Sequence, residues 1–208
     1  MAQRFGIWAA IAACVASIAY DIPQLLQVVG WLKPPWDLIL IFAPSLALAP
    51  CFVLTMVALH VRTAPGKAVW SLAGLALAIM YGVLVSIVYI TQLGVVIPHT
   101  LAGDGDRYAF LACCGPHQFL TEVDLLGYTL MGIATLFAGL ALEDEPAAAP
   151  ARFWLYFNAL LTPFIFLQIA YPQLIYVAAA WIVTFPAAMF CLARVFARRR
   201  LVAGISVG

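Results

Sequence analysis

Six stretches of the chain, residues 6–30, 36–60, 67–97, 120–142, 152–171 and 173–196, are almost continuously apolar. The hydrocarbon core of a bilayer is about 30 Å thick, which an α-helix crosses in roughly 20 residues. At that depth there is no water to pair with backbone N–H and C=O groups, so only helices and closed barrels cross it. Barrel strands alternate apolar and polar side chains, and these runs do not. The expected fold is therefore all-α: a polytopic membrane protein, a bundle of six transmembrane helices forming one domain over residues 1–208. The third run is long enough to tilt or to project beyond the headgroups. The last two, separated only near Tyr171-Pro172, should form an antiparallel hairpin.

Charge supports the same class. Only 9% of the residues are charged and 66% are hydrophobic, with a mean hydropathy of +1.05, whereas a soluble domain carries about 25% charged residues. The net charge of +1 offers no basic stripe for nucleic acid outside Arg198-Arg199-Arg200. That cluster follows an apolar run, where it meets anionic headgroups. Ile11-Ala12-Ala13-Cys14 resembles a lipoprotein cleavage box, but the apolar stretch before Cys14 is short for a signal core, and the expectation is an uncleaved first span.

The basic residues set the expected orientation. With a cytoplasmic N-terminus, Arg4, Arg62, Lys67, Arg152, Arg194 and Arg198 to Arg200 fall inside, and only Lys33 and Arg107 fall outside. That bias is the positive-inside pattern, giving N-in and C-in. Glu143-Asp144-Glu145 also falls inside, where acidic residues weigh little. The high Ala and Arg usage points to a GC-rich bacterium and so to its inner (plasma) membrane. Pro23, Pro44, Pro50, Pro163 and Pro186 lie inside runs and tend to kink helices. Gly74, Ala78, Gly82 and Ser86 recur every four residues on one face of the third run, a seam for close helix approach or for contact with a second copy.

Asp21 is the one formal charge deep inside an apolar run, roughly 20 Å along its helix. A charge there costs at least about 2.5–3.5 kcal/mol, so it normally faces a partner, a cavity or water. Gln24 shares its helical face and Gln27 lies one step further. Tyr89 and Gln92 end the third run, Thr121, Glu122, Asp124 and Tyr128 begin the fourth, and Gln168, Tyr171, Gln173 and Tyr176 surround the last turn. These groups fall in the same outer third of the bilayer. The expected site is a mainly apolar, outward-facing pocket whose polar contacts come from Asp21, Gln24, Gln92, Glu122, Asp124 and Gln168. Each has a bland alternative. Asp21 is open to a structural role, Thr121-Glu122-Val123-Asp124 resembles an N-cap with acidic residues in the first turn, and Tyr171 and Tyr176 suit interfacial anchoring.

Other motifs are weaker. Cys113-Cys114-Gly115-Pro116-His117, with His99 nearby, has metal-ligand residue types without zinc spacing, and buried or oxidised cysteines in an ordered loop fit better. Gly103-Asp104-Gly105-Asp106 lacks the other ligands of a calcium loop. His60, His99 and His117 sit at or beyond helix ends, which disfavours haem. No metal or cofactor is expected. No nucleophile elbow, Walker loop, GxGxxG or HExxH is present.

The sequence thus points to a small integral membrane protein that binds or transports a lipid-like or other hydrophobic small molecule. Six-span proteins of this size include lipid- or sterol-sensing regulators and substrate-binding subunits of vitamin transporters. The alternative is an intramembrane isomerase or hydrolase acting on a lipid or isoprenoid, with Asp21 and Glu122 or Asp124 as acid and base. A proton-coupled carrier using Asp21 is less supported, since no relay is visible.

Overall fold

The computed structural model describes residues 2–142, 144 and 146–198. Glu143 and Glu145 and, of the C-terminal arginine cluster, Arg199 and Arg200 lie outside the described residues. The chain is 85% helical, with no strand among the described residues. Helix α1 spans Ala2–Val28, α2 Trp36–Arg62 and α3 Ala68–Thr91. A π-helical stretch, Gln92–Val96, carries α3 into α4, Ile97–Ala102. Helix α5 spans Phe119–Ala141, α6 Ala149–Leu160, α7 Thr162–Phe166, α8 Ile175–Ala178 and α9 Trp181–Ala197.

Among the described residues, five helical stretches are long and apolar enough to cross a membrane: Gln3–Val28, Trp36–Arg62, Pro65–Ala102, Phe119–Ala141 and Pro172–Ala197. The bundle buries only 33–39% of the most apolar part of each. The remaining apolar surface faces outward, far more than a water-soluble monomer exposes, and needs lipid to cover it. The protein is a multi-pass membrane protein.

The fifth expected run is not one helix. It is divided into α6, α7 and a 3₁₀ turn at Leu167–Ile169. Pro163 has no amide to donate one turn back, and the helix breaks at Leu161 just before it. Pro23, Pro44, Pro50 and Pro186, by contrast, sit within unbroken helices.

The helices pack in a closed circuit, α1 on α2, α2 on α3, α3 on α5, α5 on α6, α6 on α9 and α9 back on α1. Polar contacts tie one end of it. Gln3 Nε2 donates to the Ala197 carbonyl at 2.9 Å, Arg62 donates to those of Phe196 and Arg198 at 2.6 and 3.2 Å, and Lys67 Nζ donates to that of Leu142 at 2.6 Å. Asp144 receives both Lys67 and Arg152. Both ends of the described chain and the turns at 63–67 and 142–148 therefore share one end of the bundle. The connections at 29–35, 103–118 and 170–174 share the other, called here the loop end.

Inside the circuit each helix turns a seam of small or apolar residues inward at spacings of three and four. Helix α3 buries Ser71, Gly74, Ala78, Tyr81, Val85 and Val88. Gly74 lets α3 approach closely, since a Cβ there would fall 2.8 Å from Met56 Cε and 3.2 Å from the Ala134 carbonyl. Gly82 likewise faces Val53 of α2, so Gly74, Ala78 and Gly82 of the expected small-residue seam are used within the chain. Five rings close a circuit across the core: Trp181, Tyr128, Tyr81, Phe52 and Phe185, with successive centroids 4.9–5.8 Å apart. Such aromatic pairs are each worth about 0.5–1.5 kcal/mol beyond burial.

One fully buried polar chain joins three helices. Asn158 of α6 donates to Thr135 Oγ1 of α5 at 3.2 Å and accepts from Thr184 Oγ1 of α9 at 2.8 Å. Interhelical bonds of this kind average about 0.6 kcal/mol in membranes, with a maximum near 1.7. Asn158→Ala removes both and is expected to destabilise the protein by about 1 kcal/mol. Thermal unfolding in detergent checks this, and an unchanged midpoint would contradict the role given to Asn158.

Candidate functional site

The site is built where α1, α3, α5 and α9 meet near the loop end. On α1, Ala10, Ala13, Ser17 and Asp21 form the inward seam, and Asp21 is only 4% exposed. Neither of its carboxyl oxygens has a hydrogen-bond partner among the described residues. On α5, Asp124 Oδ1 is likewise buried without a partner, and the Tyr89 hydroxyl interacts with the same carboxyl. Tyr20 lies within electrostatic range of both aspartates. Its ring meets Trp181 edge-on at 5.9 Å, and Trp181 meets Tyr128 at 5.3 Å. The Tyr89 hydroxyl bonds that of Tyr128 at 2.9 Å. The result is two carboxyl groups set among tyrosines and a tryptophan. Aromatic faces and carboxyl oxygens share one preference, for positive charge or hydrogen-bond donors.

The loop end closes over Asp124. Residues 103–118 contain a 3₁₀ stretch, Gly105–Leu111, followed by a disulfide between the adjacent Cys113 and Cys114. Gln92 pins this segment from both sides. Its Nε2 donates to the Leu111 carbonyl at 2.8 Å and its Oε1 accepts from the Cys113 amide at 3.1 Å. Thr121 Oγ1 accepts from the Cys114 amide at 2.8 Å, and Gln118 Oε1 from that of Gly115 at 3.0 Å. Cys114 and His117 take left-handed backbone, with φ of 84° and 59°. That conformation is uncommon for residues with a Cβ. The two sulfurs and an Asp124 carboxyl oxygen all lie within 4.8 Å of one another.

The expected site residues divide. Asp21 and Asp124 converge on the Tyr20 neighbourhood. Glu122 adds a buried oxygen, Oε2, without a partner among the described residues. Gln92, nearly fully buried, spends both ends of its amide on the loop and acts as its clamp. Gln24 donates to Gln27 at 3.1 Å and Gln27 to Asp37 at 3.0 Å, a polar tie from the end of α1 to the start of α2. Gln168 lies, partly exposed, on the turn after α7 and makes none of these bonds. The expected cap at Thr121 is corrected: α5 starts at Phe119 behind Gln118, whose side chain bonds Gly115 instead. His99 pairs with Asp104 at 3.0 Å and stacks on Tyr108, away from the Cys113–Cys114–Asp124 group.

Tyr20, Tyr81, Trp181 and Asp37 were not marked by sequence reasoning. Asp124 and Tyr128, four residues apart, share a helix face, but nothing in the sequence says that α9 brings Trp181 against Tyr128. A separate apolar groove of about 340 Å³ lies between α5 and the α6–α7 break, lined by Thr129, Gly132, Leu136, Thr162, Pro163 and Phe166 among others. No family model, curated protein or solved structure matches the chain.

Gln92→Ala leaves the Leu111 carbonyl and the Cys113 amide without their partners, a loss on the order of 1–3 kcal/mol. Amide hydrogen exchange over residues 111–118 is expected to quicken at least tenfold. Unchanged exchange there would show that the clamp does not hold the loop.

Proposed function

We propose that the protein binds, and carries across or presents within the membrane, a largely apolar small molecule whose polar end is a hydrogen-bond donor or a cation. The observation that carries this reading is the pair of interior carboxyl groups, Asp21 and Asp124, of which both Asp21 oxygens and Asp124 Oδ1 are buried without a donor among the described residues, in an aromatic setting. Buried polar groups are nearly always paired, so those left open are where a ligand's donors are accommodated. The groove beside α5 fits the same reading, being mainly apolar and within the usual size of ligand sites.

The finer topology belongs to the same proposal. Helices α6 and α7 fill the place between α5 and α9 and act together as the sixth pass. The end that holds Arg62, Lys67, Arg152 and Arg198 faces the cytoplasm, following the positive-inside pattern, and the loop end faces outward from a bacterial inner membrane. A second reading, an acid–base enzyme acting on a lipid or isoprenoid, draws on Tyr20 lying within electrostatic range of both aspartates.

Native mass spectrometry of the detergent-purified protein tests the site. Wild type is expected to retain a bound small molecule that Asp21→Asn and Asp124→Asn lose or hold at least tenfold less. Equal ligand content in all three contradicts the proposal. Recovery of a chemically altered ligand from wild type alone favours the enzyme reading.

A further inference from the structure

The disulfide between Cys113 and Cys114 does nothing for stability by the usual route. A disulfide stabilises mainly by restricting the unfolded chain, and more so for longer loops. Adjacent cysteines enclose no intervening residue, so almost no chain entropy is removed. The surroundings also differ from those of an inert link. Cys114 is exposed while Cys113 is half-buried against the core, and a carboxyl oxygen of Asp124 lies within 4.8 Å of both sulfurs. The other face of the segment is held by Gln92, Thr121 and Gln118. None of these bonds involves a sulfur, so opening the disulfide breaks none of them.

We infer that Cys113 and Cys114 form a reversible dithiol–disulfide couple that exchanges electrons with a dithiol at the loop end, with Asp124 as its proton-transfer group. A thiolate of the incoming dithiol attacks the exposed Cys114 Sγ, forming a mixed disulfide and breaking the Cys113–Cys114 bond. Cys113 Sγ leaves with the bonding electron pair and takes a proton from the Asp124 carboxyl. The second thiol of the dithiol loses its proton to water and attacks its own mixed-disulfide sulfur. Cys114 leaves and is protonated by water, and Asp124 recovers a proton from the same solvent. The dithiol has lost two electrons and two protons and become a cyclic disulfide, and the protein has gained two thiols. Exchange of this kind proceeds only through thiolate attack, and its rate depends on access and on how readily the leaving sulfur departs. The exposed and half-buried sulfurs supply the first and Asp124 the second. The inference needs no bound ligand and does not depend on the transport reading.

The test uses the full chain in detergent with dithiothreitol as the dithiol, following reduction by alkylation and intact mass. Before reduction, neither Cys113 nor Cys114 is expected to alkylate; alkylation of both at that stage overturns the inference. Asp124→Asn is expected to slow reduction at least tenfold and to remove a break in its pH profile, with Asp124→Glu restoring both in part. The titratable groups around Asp124 are Tyr89 and Tyr81 on α3, Tyr128 on its own helix and Tyr20 on α1, and all four remain in the variant. An unchanged rate and profile in Asp124→Asn overturns the role of Asp124. Should Asp124→Asn fail to fold, the wild-type profile decides against a Cys-Cys peptide in the same micelles. A break absent from the peptide supports the inference, and coincident profiles refute it.

Discussion

The interior of a bilayer contains no water to pair with a stray polar atom, and the rest of this structure follows from that constraint. Most of the chain's interior hydroxyls obey it locally. Ser45, Thr55 and Thr129 each donate to a carbonyl four residues back on their own helix. Asn158 cannot do so and reaches across to Thr135 and Thr184 instead, which is why α6, short as it is, holds its place between α5 and α9. Against these pairings, Asp21, Asp124 and Glu122 are carboxyl groups with buried oxygens that no described residue pairs.

Fold and site are therefore one arrangement. Closing α9 onto α1 brings Trp181 to Tyr20, and packing α3 on α5 brings Tyr89 to Tyr128 and Asp124. Buried small residues, Ala10 and Ala13 on α1 and Gly74 and Ala78 on α3, let the backbones approach closely. The same α3 runs on through a π-helical stretch that starts at Gln92, the residue clamping the loop. An added residue per turn at that point re-aims side chains, and π-bulges recur at functional positions. At the opposite end the ties from Gln3, Arg62 and Lys67 use backbone carbonyls that helix ends leave without partners.

Much of the membrane class was legible from run length and charge segregation alone, because the bilayer imposes both on the backbone. Gln24 and Gln92 also lie toward the loop end, but their amides are taken up by Gln27 and by the loop, whereas Asp21 and Asp124 keep open oxygens. Hydropathy reads depth along a helix and not the partner across it, so amides that serve a tie and acids left open look alike. The division of the fifth run at Leu161 was signalled by Pro163, yet Pro44 and Pro50 gave the same signal inside an unbroken α2. Neighbouring helices decide such cases. The Cys113–Cys114 link was visible only as a choice between buried and oxidised thiols, since adjacency in sequence does not say whether the backbone brings the sulfurs together.

The central claim is that Asp21 and Asp124 are interior carboxyl groups with oxygens, both of Asp21 and Oδ1 of Asp124, that no described residue pairs. Carbodiimide labelling of the purified protein, mapped by peptide mass spectrometry, tests it without any substitution. A lipid-soluble carbodiimide should modify Asp21 and Asp124, while a water-soluble one should modify the exposed Asp106 first and leave Asp21 intact. Labelling of Asp21 by the water-soluble reagent as fast as Asp106, or indifference of both interior aspartates to the lipid-soluble one, would contradict the account.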